Sequence, residues 1–172
     1  AAQSHRALVD ALRQVRGVEV AGAGDQLPIG GSRRAGFVRL PGQPPIRIDV
    51  RQVLPGFFEA IGLPLKQGRF FADADRAAGR PLVVINELAV QRIFGVASPV
   101  GRLLPVEEDQ PEIIGVVGDF LQDGARSPVR ANVYFLYSGA ESSPGRRSMV
   151  VFVRPRGVVP GLPARLREAA AE

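Results

Sequence analysis

The sequence predicts an α+β fold in which helices cover a mixed β-sheet. Apolar residues recur at helical spacing near both ends of the chain. Between the ends lies a series of short apolar or alternating runs, which are typical of strands. The 172 residues include 20 Gly and 15 Pro, which indicates many turns and short elements. Together these observations favour helices packed against one sheet.

The first predicted element is a helix over residues 4–16. Leu8, Leu12 and Val15 follow the i, i+4, i+7 spacing of one buried helix face. We expect Ser4 to be the N-cap of this helix.

Three strands are predicted next, at residues 18–23, 37–40 and 46–53. The segment between the first two, residues 24–35, contains Gly and Pro and is predicted to be a loop. In the third strand, isoleucine and valine alternate with Arg47, Asp49 and Arg51. This alternation predicts one buried and one solvated face, in an antiparallel or edge position of the sheet.

A short helix at residues 57–61 is predicted to follow, and then an irregular segment at residues 62–81. The apolar run 82–85 predicts a strand. Asn86 can cap the helix after it, and Gly95 can end that helix. The remaining predicted elements are strands at residues 103–106, 112–117, 133–137 and 150–154, and a last helix at residues 162–171.

Composition excludes several functional classes. The chain has no cysteine, which excludes disulfides and thiolate metal sites. Its only lysine, Lys66, lies in LPLKQG, which does not match a nucleotide-binding P-loop. The net charge of +5 comes from scattered arginines, and the pairs Arg33-Arg34 and Arg146-Arg147 are too short for a nucleic-acid-binding tract. We therefore expect a solvated arginine surface and no nucleic-acid partner. The alternative is a weak attraction of the arginines to anionic lipid headgroups.

The sequence contains no run of 18 apolar residues, so no membrane span is predicted within it. It starts and ends in helix-like sequence, which suggests a segment of a longer protein.

The residues that usually carry catalysis or bind cofactors are scarce. His5 is the only histidine and borders the apolar face of the first helix, so we expect it to have a packing or surface role. Gly22-Ala23-Gly24 lacks the third glycine of a dinucleotide-binding loop and is interpreted as an ordinary loop. We predict no catalytic, cofactor-binding or metal-binding residues, and no cofactor.

Carboxylates provide the one enzymatic alternative. Asp119 follows the apolar strand 112–117, a common position for an active-site carboxylate, and Asp123 lies four residues later. The acidic residues of the Asp73–Asp75 and Glu107–Asp109 segments have no calcium-binding spacing and are interpreted as turn residues.

Two aromatic pairs, Phe57-Phe58 and Phe70-Phe71, are predicted to pack in the core. The alternative is that one member of each pair faces a partner, since neighbouring side chains point in different directions.

The order and spacing of several segments resemble the MacB-like periplasmic core domain of FtsX-like ABC transporter permeases. The segments are VLPGFFEAIGLPLKQGRFFADADR, VVINELAVQRIFGVASPVGRLL, EIIGVVGDFLQDG, VYFLY and MVVFVRPRG. The N-terminal LVDALRQVRGVEVAG is similar to the family's helix after the first membrane span. This resemblance covers nearly the whole chain.

The resemblance implies two lobes. Residues 1–60 and 131–172 would form a porter-like lobe of βαβ units, and residues 61–130 an inserted, sabre-like lobe with a mixed sheet. It also implies a dimeric parent protein in the inner membrane, with this domain on the periplasmic side. The expected partners are an ABC ATPase subunit or domain and a periplasmic adaptor or cargo protein.

The expected function is therefore non-catalytic: the domain passes conformational change from the membrane to a partner or cargo. This hypothesis predicts that both chain ends lie on the same side of the domain. The alternatives are a soluble α+β enzyme that uses Asp119 and Asp123, or the Asp73–Asp75 loop, and a binding domain for an anionic partner.

Overall fold

A computed structural model describes residues 2–27, 34–77, 79–95, 97–106, 110–120, 128–137 and 148–171. Within these ranges the chain forms one mixed β-sheet with helices on both faces. The helices are α1 (Ala2–Gln14), α2 (Phe57–Ile61), α3 (Glu87–Phe94) and α4 (Leu162–Ala171), with a short 3-10 helix at Asp73–Ala77. The strands are β1 (Val18–Gly24), β2 (Arg34–Val38), β3 (Ile46–Val53), β4 (Leu65–Gly68), β5 (Leu82–Asn86), β6 (Glu112–Val117), β7 (Asn132–Leu136) and β8 (Val150–Pro155). The predicted α+β class is confirmed.

The strands lie in the order β4-β6-β5-β7-β3-β1-β8. Strand β2 lies outside this order and pairs with residues 46–50 of β3, whereas β1 pairs with β3 at Val53. The pairs β3–β7 and β5–β6 are parallel, and the other pairs are antiparallel. The sheet runs without interruption from the 61–130 segment to the 131–172 segment, because β5 pairs directly with β7. The division into two lobes stays a prediction.

The core lies on both faces of this sheet. In β5, Val83 and Ile85 belong to a cluster beneath α3, whereas Leu82 and Val84 belong to a cluster that includes α2. Alternate residues of a strand point to opposite faces, so these two clusters are separated by the sheet. A third cluster joins α1 and α4 to β1 and β8.

The prediction of a solvated face on β3 is wrong. Asp49 and Arg51 are both buried. β3 lies inside the sheet, between β7 on one side and β1 and β2 on the other. Partners from distant segments cover the polar side of the strand: Arg51 donates to the carbonyl oxygen of Leu27 at 2.9 Å and lies over the Phe120 ring, and Asp49 lies 3.9 Å from Arg130. Of the three charged residues, only Arg47 is exposed.

Other differences from the prediction are local. Helix α1 begins at Ala2, so Ser4 lies inside it and is not its N-cap. The second strand covers Arg34–Val38 instead of residues 37–40. Strand β4 arises in the segment predicted to be irregular. The predicted strand at residues 103–106 is reduced to an isolated bridge from Leu103 to Glu112.

The capping prediction for α3 is confirmed. The Asn86 side chain accepts a hydrogen bond from the Ala89 N–H at 3.1 Å, and Gly95 ends the helix with a positive φ of 68°. Helices α2 and α4 have the predicted bounds.

Candidate functional site

The terminal helices form a side-by-side pair on the β1–β8 end of the sheet. α1 leads into β1 and α4 follows β8, and Val18 of β1 pairs with Pro155 of β8. The Arg165 Nη1, in the first turn of α4, donates to the carbonyl oxygen of Arg16 at 3.0 Å, just beyond the end of α1. Leu8 and Leu12 of α1 also pack in one hydrophobic cluster with Leu162 and Leu166 of α4, so the helices lie side by side. We infer that they run antiparallel, with their outer ends, Ala2 and Ala171, on the same side of the domain. This agrees with the expectation for the chain ends.

Arg13 ties α1 to the rest of the fold. Its Nε donates to the carbonyl oxygen of Ala21 in β1 at 3.1 Å, and its Nη2 donates to the carbonyl oxygen of Pro55 at 2.6 Å. Its Nη1 forms an ion pair with Asp10 at 3.0 Å. All three sides of the guanidinium group are thus engaged. A shift of α1 must be transmitted to β1 and to the turn before α2, or must break these bonds.

The turn that Arg13 holds lies against β1. A Cβ atom at Gly22 would collide with the backbone of Gly56 and Phe57. Gly22 and Gly24 therefore serve close packing inside a strand, and the interpretation of Gly22-Ala23-Gly24 as a loop is wrong. Gly56 itself has φ of 88°, a conformation that favours glycine.

Helix α1 also reaches the 61–130 segment. Arg6 Nη2 lies 3.5 Å from Asp73 Oδ1, and Arg13 Nη1 lies 3.8 Å from Asp73 Oδ2. The side chains of Arg6 and Asp73 are about half exposed, so each pair contributes little stability. These ion pairs are direct contacts between the terminal helix and that segment.

An aromatic cluster continues from α2 into the same segment. Phe58 is 1% exposed, and its ring stacks on Phe70 and Phe71 at centroid distances of 5.4 and 6.2 Å. It also meets Tyr134 of β7 edge-on at 5.0 Å. Phe57 is equally buried. The core-packing prediction is confirmed for Phe57, Phe58 and Phe71, which are buried. Phe70 is half-buried against the same cluster, and the alternative that it faces a partner stays a prediction.

Asp119 belongs to a capping network at the end of β5. Its Oδ1 accepts hydrogen bonds from the Leu88 N–H at 3.1 Å and from the Asn86 Nδ2 at 2.5 Å. Asn86 also donates to the carbonyl oxygen of Arg130 and accepts from the Asn132 N–H, both at 2.8 Å. Loss of hydration at the carboxyl group raises the pKa of Asp119, and the hydrogen bond from Leu88 opposes that shift. Asp119 thus ties the first turn of α3 to the end of β5, and Asn86 in turn joins β5 to β7, which is a structural role.

The other predicted candidates are not brought to this network. Asp123, Glu107–Asp109, Arg33 and the pair Arg146-Arg147 lie outside the described residues. Asp75 forms a two-pronged ion pair with Arg69, with both N–O distances 2.7 Å. This bonding lowers the pKa of Asp75. His5 is half-buried, with its ring 6.2 Å from that of Tyr137, in agreement with a packing role.

Within the described ranges, acidic and histidine side chains form no cluster suited to a metal ion, and no helix is both long and apolar enough to cross a membrane. Arg13 is the important residue that the sequence interpretation missed, because the pattern places it only in the last turn of a helix. Its partner Pro55 is 42 residues away, and no local signal connects the two.

Comparisons with known proteins agree with this fold. The family model described as "MacB-like periplasmic core domain" matches residues 2–169. The macrolide export ATP-binding/permease protein MacB of Aggregatibacter actinomycetemcomitans is 34% identical over 82 residues, which are 48% of this chain and 13% of that protein. The pyoverdine export ATP-binding/permease protein PvdT of Pseudomonas aeruginosa is 30% identical over 63 residues, which are 37% of this chain and 10% of that protein. The matches thus span only a small part of these curated relatives.

Solved structures support the same relationship at the level of the fold. The periplasmic region of MacB from Actinobacillus actinomycetemcomitans has a TM-score of 0.67 and 19% identity, covering 97% of this chain and 74% of that one. The extracellular domain of the ABC-type transporter YknZ from Gram-positive bacteria has a TM-score of 0.63 and 19% identity, covering 92% of this chain and 75% of that one. The family match over nearly the full length, on a matching fold, shows that this chain belongs to the family of MacB-like periplasmic core domains.

Proposed function

We propose that this domain carries conformational change from membrane-anchored segments of an ABC transporter permease to a periplasmic adaptor or cargo protein. The observation that supports this most directly is the antiparallel α1–α4 pair, whose outer ends lie together on one side of the domain. Two membrane helices attached there would move the pair as a unit.

The contacts of α1 supply a route for such motion. Arg13 connects α1 to the turn at Pro55, which leads directly into α2. Phe58 of α2 packs against Phe70 and Phe71 of the 61–130 segment. A displacement of α1 would thereby reach both proposed lobes, residues 1–60 with 131–172 and residues 61–130. Mechanical coupling of this kind needs a packed interface with two discrete arrangements.

The rest of the proposal concerns the parent protein. ATP hydrolysis would take place on a separate nucleotide-binding domain or subunit. The parent would be a dimer in the inner membrane, with this domain in the periplasm. MacB and PvdT are named as export proteins with ATP-binding and permease parts, which supports this context.

The coupling role is tested in the full-length transporter with an Arg13→Gln variant. We expect the amount exported per ATP hydrolysed to fall by about tenfold, because Gln can replace only part of the bonding of the guanidinium group. Arg167→Gln is the matched control, since Arg167 is an exposed residue of α4 and its loss changes the charge equally. A folded Arg13→Gln protein with an unchanged ratio of export to hydrolysis would contradict the proposal.

The location is tested with cysteine labelling, because the chain has no cysteine of its own. Val158 is 99% exposed and Val133 is fully buried. In intact cells whose outer membrane has been made permeable, a membrane-impermeant maleimide should label Val158→Cys and leave Val133→Cys unlabelled until denaturation. Labelling of Val158→Cys only after cell lysis would place the domain in the cytoplasm.

A further inference from the structure

The C-terminal end of α1 and the N-terminal end of α4 border an open concavity of about 690 Å³. Residues from the end of α1, the start of β1, the segment after β8 and the first turn of α4 line it. Four of the nine lining residues are arginines: Arg13, Arg16, Arg156 and Arg165. No carboxylate is among the lining residues. The charge of the lining is therefore strongly positive.

The hydrogen bonds explain why these arginines meet. The Arg156 N–H donates to the carbonyl oxygen of Gly17 at 2.9 Å. Arg165 donates through Nη1 to the carbonyl oxygen of Arg16 at 3.0 Å and through Nη2 to that of Pro160 at 2.8 Å. The turn at Gly17 therefore collects cationic residues that are up to 149 positions apart in sequence.

The turn itself is built for this close approach. Gly17 has φ of 100°, and a Cβ atom there would lie 2.7 Å from Val159 Cγ1. Only glycine combines that backbone conformation with contact to Val159. The concavity is therefore a defined feature of the fold.

The arginines at this site differ in how their charge is used. Arg13 is paired with Asp10, and Arg165 is fixed by two carbonyl groups. Arg16 and Arg156 are exposed, and among the described residues their guanidinium groups form no ion pair or hydrogen bond. Like charges in proximity repel one another, which an anion would relieve. Contacts within the fold account for the presence of arginine at positions 13 and 165. Within the described part of the chain, no such contact accounts for the guanidinium groups of Arg16 and Arg156.

We propose that this concavity binds a phosphate group of a small molecule or of a lipid headgroup. Planar guanidinium groups bind phosphate oxygens with paired hydrogen bonds. Arg16, just after α1, and Arg156, just after β8, line the concavity with such groups, beside the fixed guanidinium of Arg165. The concavity is open and has room for a phosphate group that belongs to a larger ligand. A ligand there would clamp the end of α1 to the start of α4 and stiffen the helix pair. Binding does not require the transport role proposed above, and its failure would leave that role intact.

The site favours a soluble ligand over a lipid if α1 rises from a membrane. With 13 residues at 1.5 Å each, α1 would hold the concavity about 20 Å from its outer end. A lipid headgroup at the membrane surface would not reach that far.

The test is isothermal titration calorimetry of the 172-residue chain with pyrophosphate at low ionic strength, where exposed charges are least screened. We expect saturable binding of one pyrophosphate per chain, weakened by about tenfold in Arg16→Gln and in Arg156→Gln. Arg167→Gln is the matched control, with the same charge change on α4 outside the concavity, and should bind like the unmodified chain. Circular dichroism checks that each variant remains folded.

Co-sedimentation with phosphatidylglycerol vesicles distinguishes the two sources of phosphate. Pyrophosphate binding without vesicle binding identifies a soluble ligand, whereas vesicle binding that Arg16→Gln abolishes identifies a headgroup. Both results support the site. Absence of saturable binding in both experiments, or equal weakening by Arg167→Gln, would overturn the proposal.

Discussion

The Nη2 of Arg13 donates a hydrogen bond to the carbonyl oxygen of Pro55 at 2.6 Å, across 42 residues of sequence. Together with the bond to Ala21, it fastens the terminal helix to two separate parts of the backbone. We expect Arg13→Gln to reduce the free energy of unfolding by about 2–3 kcal/mol, because hydrogen bonds of a partly buried charged group are lost. Urea denaturation of the chain measures this, with Arg167→Gln expected to change it by less than about 0.5 kcal/mol. A loss below that value for Arg13→Gln would mean that water replaces these bonds without cost.

Phe58 is the centre of the aromatic cluster that joins α2, β7 and the 61–130 segment. We expect Phe58→Ala to reduce the free energy of unfolding by about 3–5 kcal/mol, because it leaves a cavity in the core. Phe37 is the control, since it is 51% exposed in β2. Phe37→Ala should reduce the free energy of unfolding by less than about 1 kcal/mol. Thermal unfolding of both variants measures the difference. Equal effects of the two substitutions would contradict the assignment of Phe58 to the core.

Asn86 satisfies four backbone and side-chain partners from a fully buried position. Asn86→Ala would remove the acceptor of the buried N–H groups of Ala89 and Asn132. The carbonyl oxygen of Arg130 would keep the hydrogen bond that it accepts from Asn132 Nδ2. We expect the free energy of unfolding, measured by chemical denaturation, to fall by about 3–5 kcal/mol. This loss is larger than for an ordinary helix cap.

Asp119→Asn separates the structural role of this network from the enzymatic alternative. Since an amide oxygen can still accept the bonds that now reach Asp119 Oδ1, the variant should stay folded, with a change below about 1 kcal/mol. If the folded variant lost an activity that the unmodified chain had, the structural interpretation of Asp119 would be wrong.

The Arg69–Asp75 pair predicts a specific dependence of stability on pH. Its hydrogen bonds lower the pKa of Asp75 from the ordinary value of 3.8. A lowered carboxyl pKa adds stability above pH 3.8, and this contribution disappears as the pH falls through the lowered value. At pH 7 Asp75→Asn should reduce the free energy of unfolding by about 1–2 kcal/mol.

Urea titrations from neutral to acid pH check this, and the difference between the variant and the unmodified chain should vanish at the acid end. Asp73→Asn is the control, because its ion pairs are longer and half-exposed. A gap between Asp75→Asn and the unmodified chain that widens towards acid pH would show that the sign is wrong.

Short-range signals explain which parts of the fold the sequence predicted. Helix α3 is marked at both ends by residues with a local cap function, Asn86 and Gly95, and its bounds agree. The hidden face of β3 could not be found in this way. Asp49 and Arg51 look solvated in their own strand, but they are buried against groups from distant segments, which include Phe120 and Arg130. Strand β4 has four exposed residues and no apolar alternation, so it lacks the usual pattern.

The coupling contacts were harder to predict than the family. The family depends on the order of many segments, and that order can be read along the chain. The contacts Arg13–Pro55 and Arg165–Arg16 depend on how distant backbone carbonyl groups are placed in three dimensions. A carbonyl acceptor leaves no trace in the amino-acid type of its residue, so sequence patterns do not identify it.

Val18 and Pro155 pair at one end of the β1–β8 ladder, and we expect this position to determine how the domain responds to tension. If α1 and α4 were pulled apart, the two strands would open like a zipper, one hydrogen-bonded pair after another, from that end. A ladder loaded in this direction is mechanically weak compared with one sheared along its length. The contact between the terminal helices, which includes the hydrogen bond from Arg165 to Arg16, would therefore reduce the force on this end of the ladder.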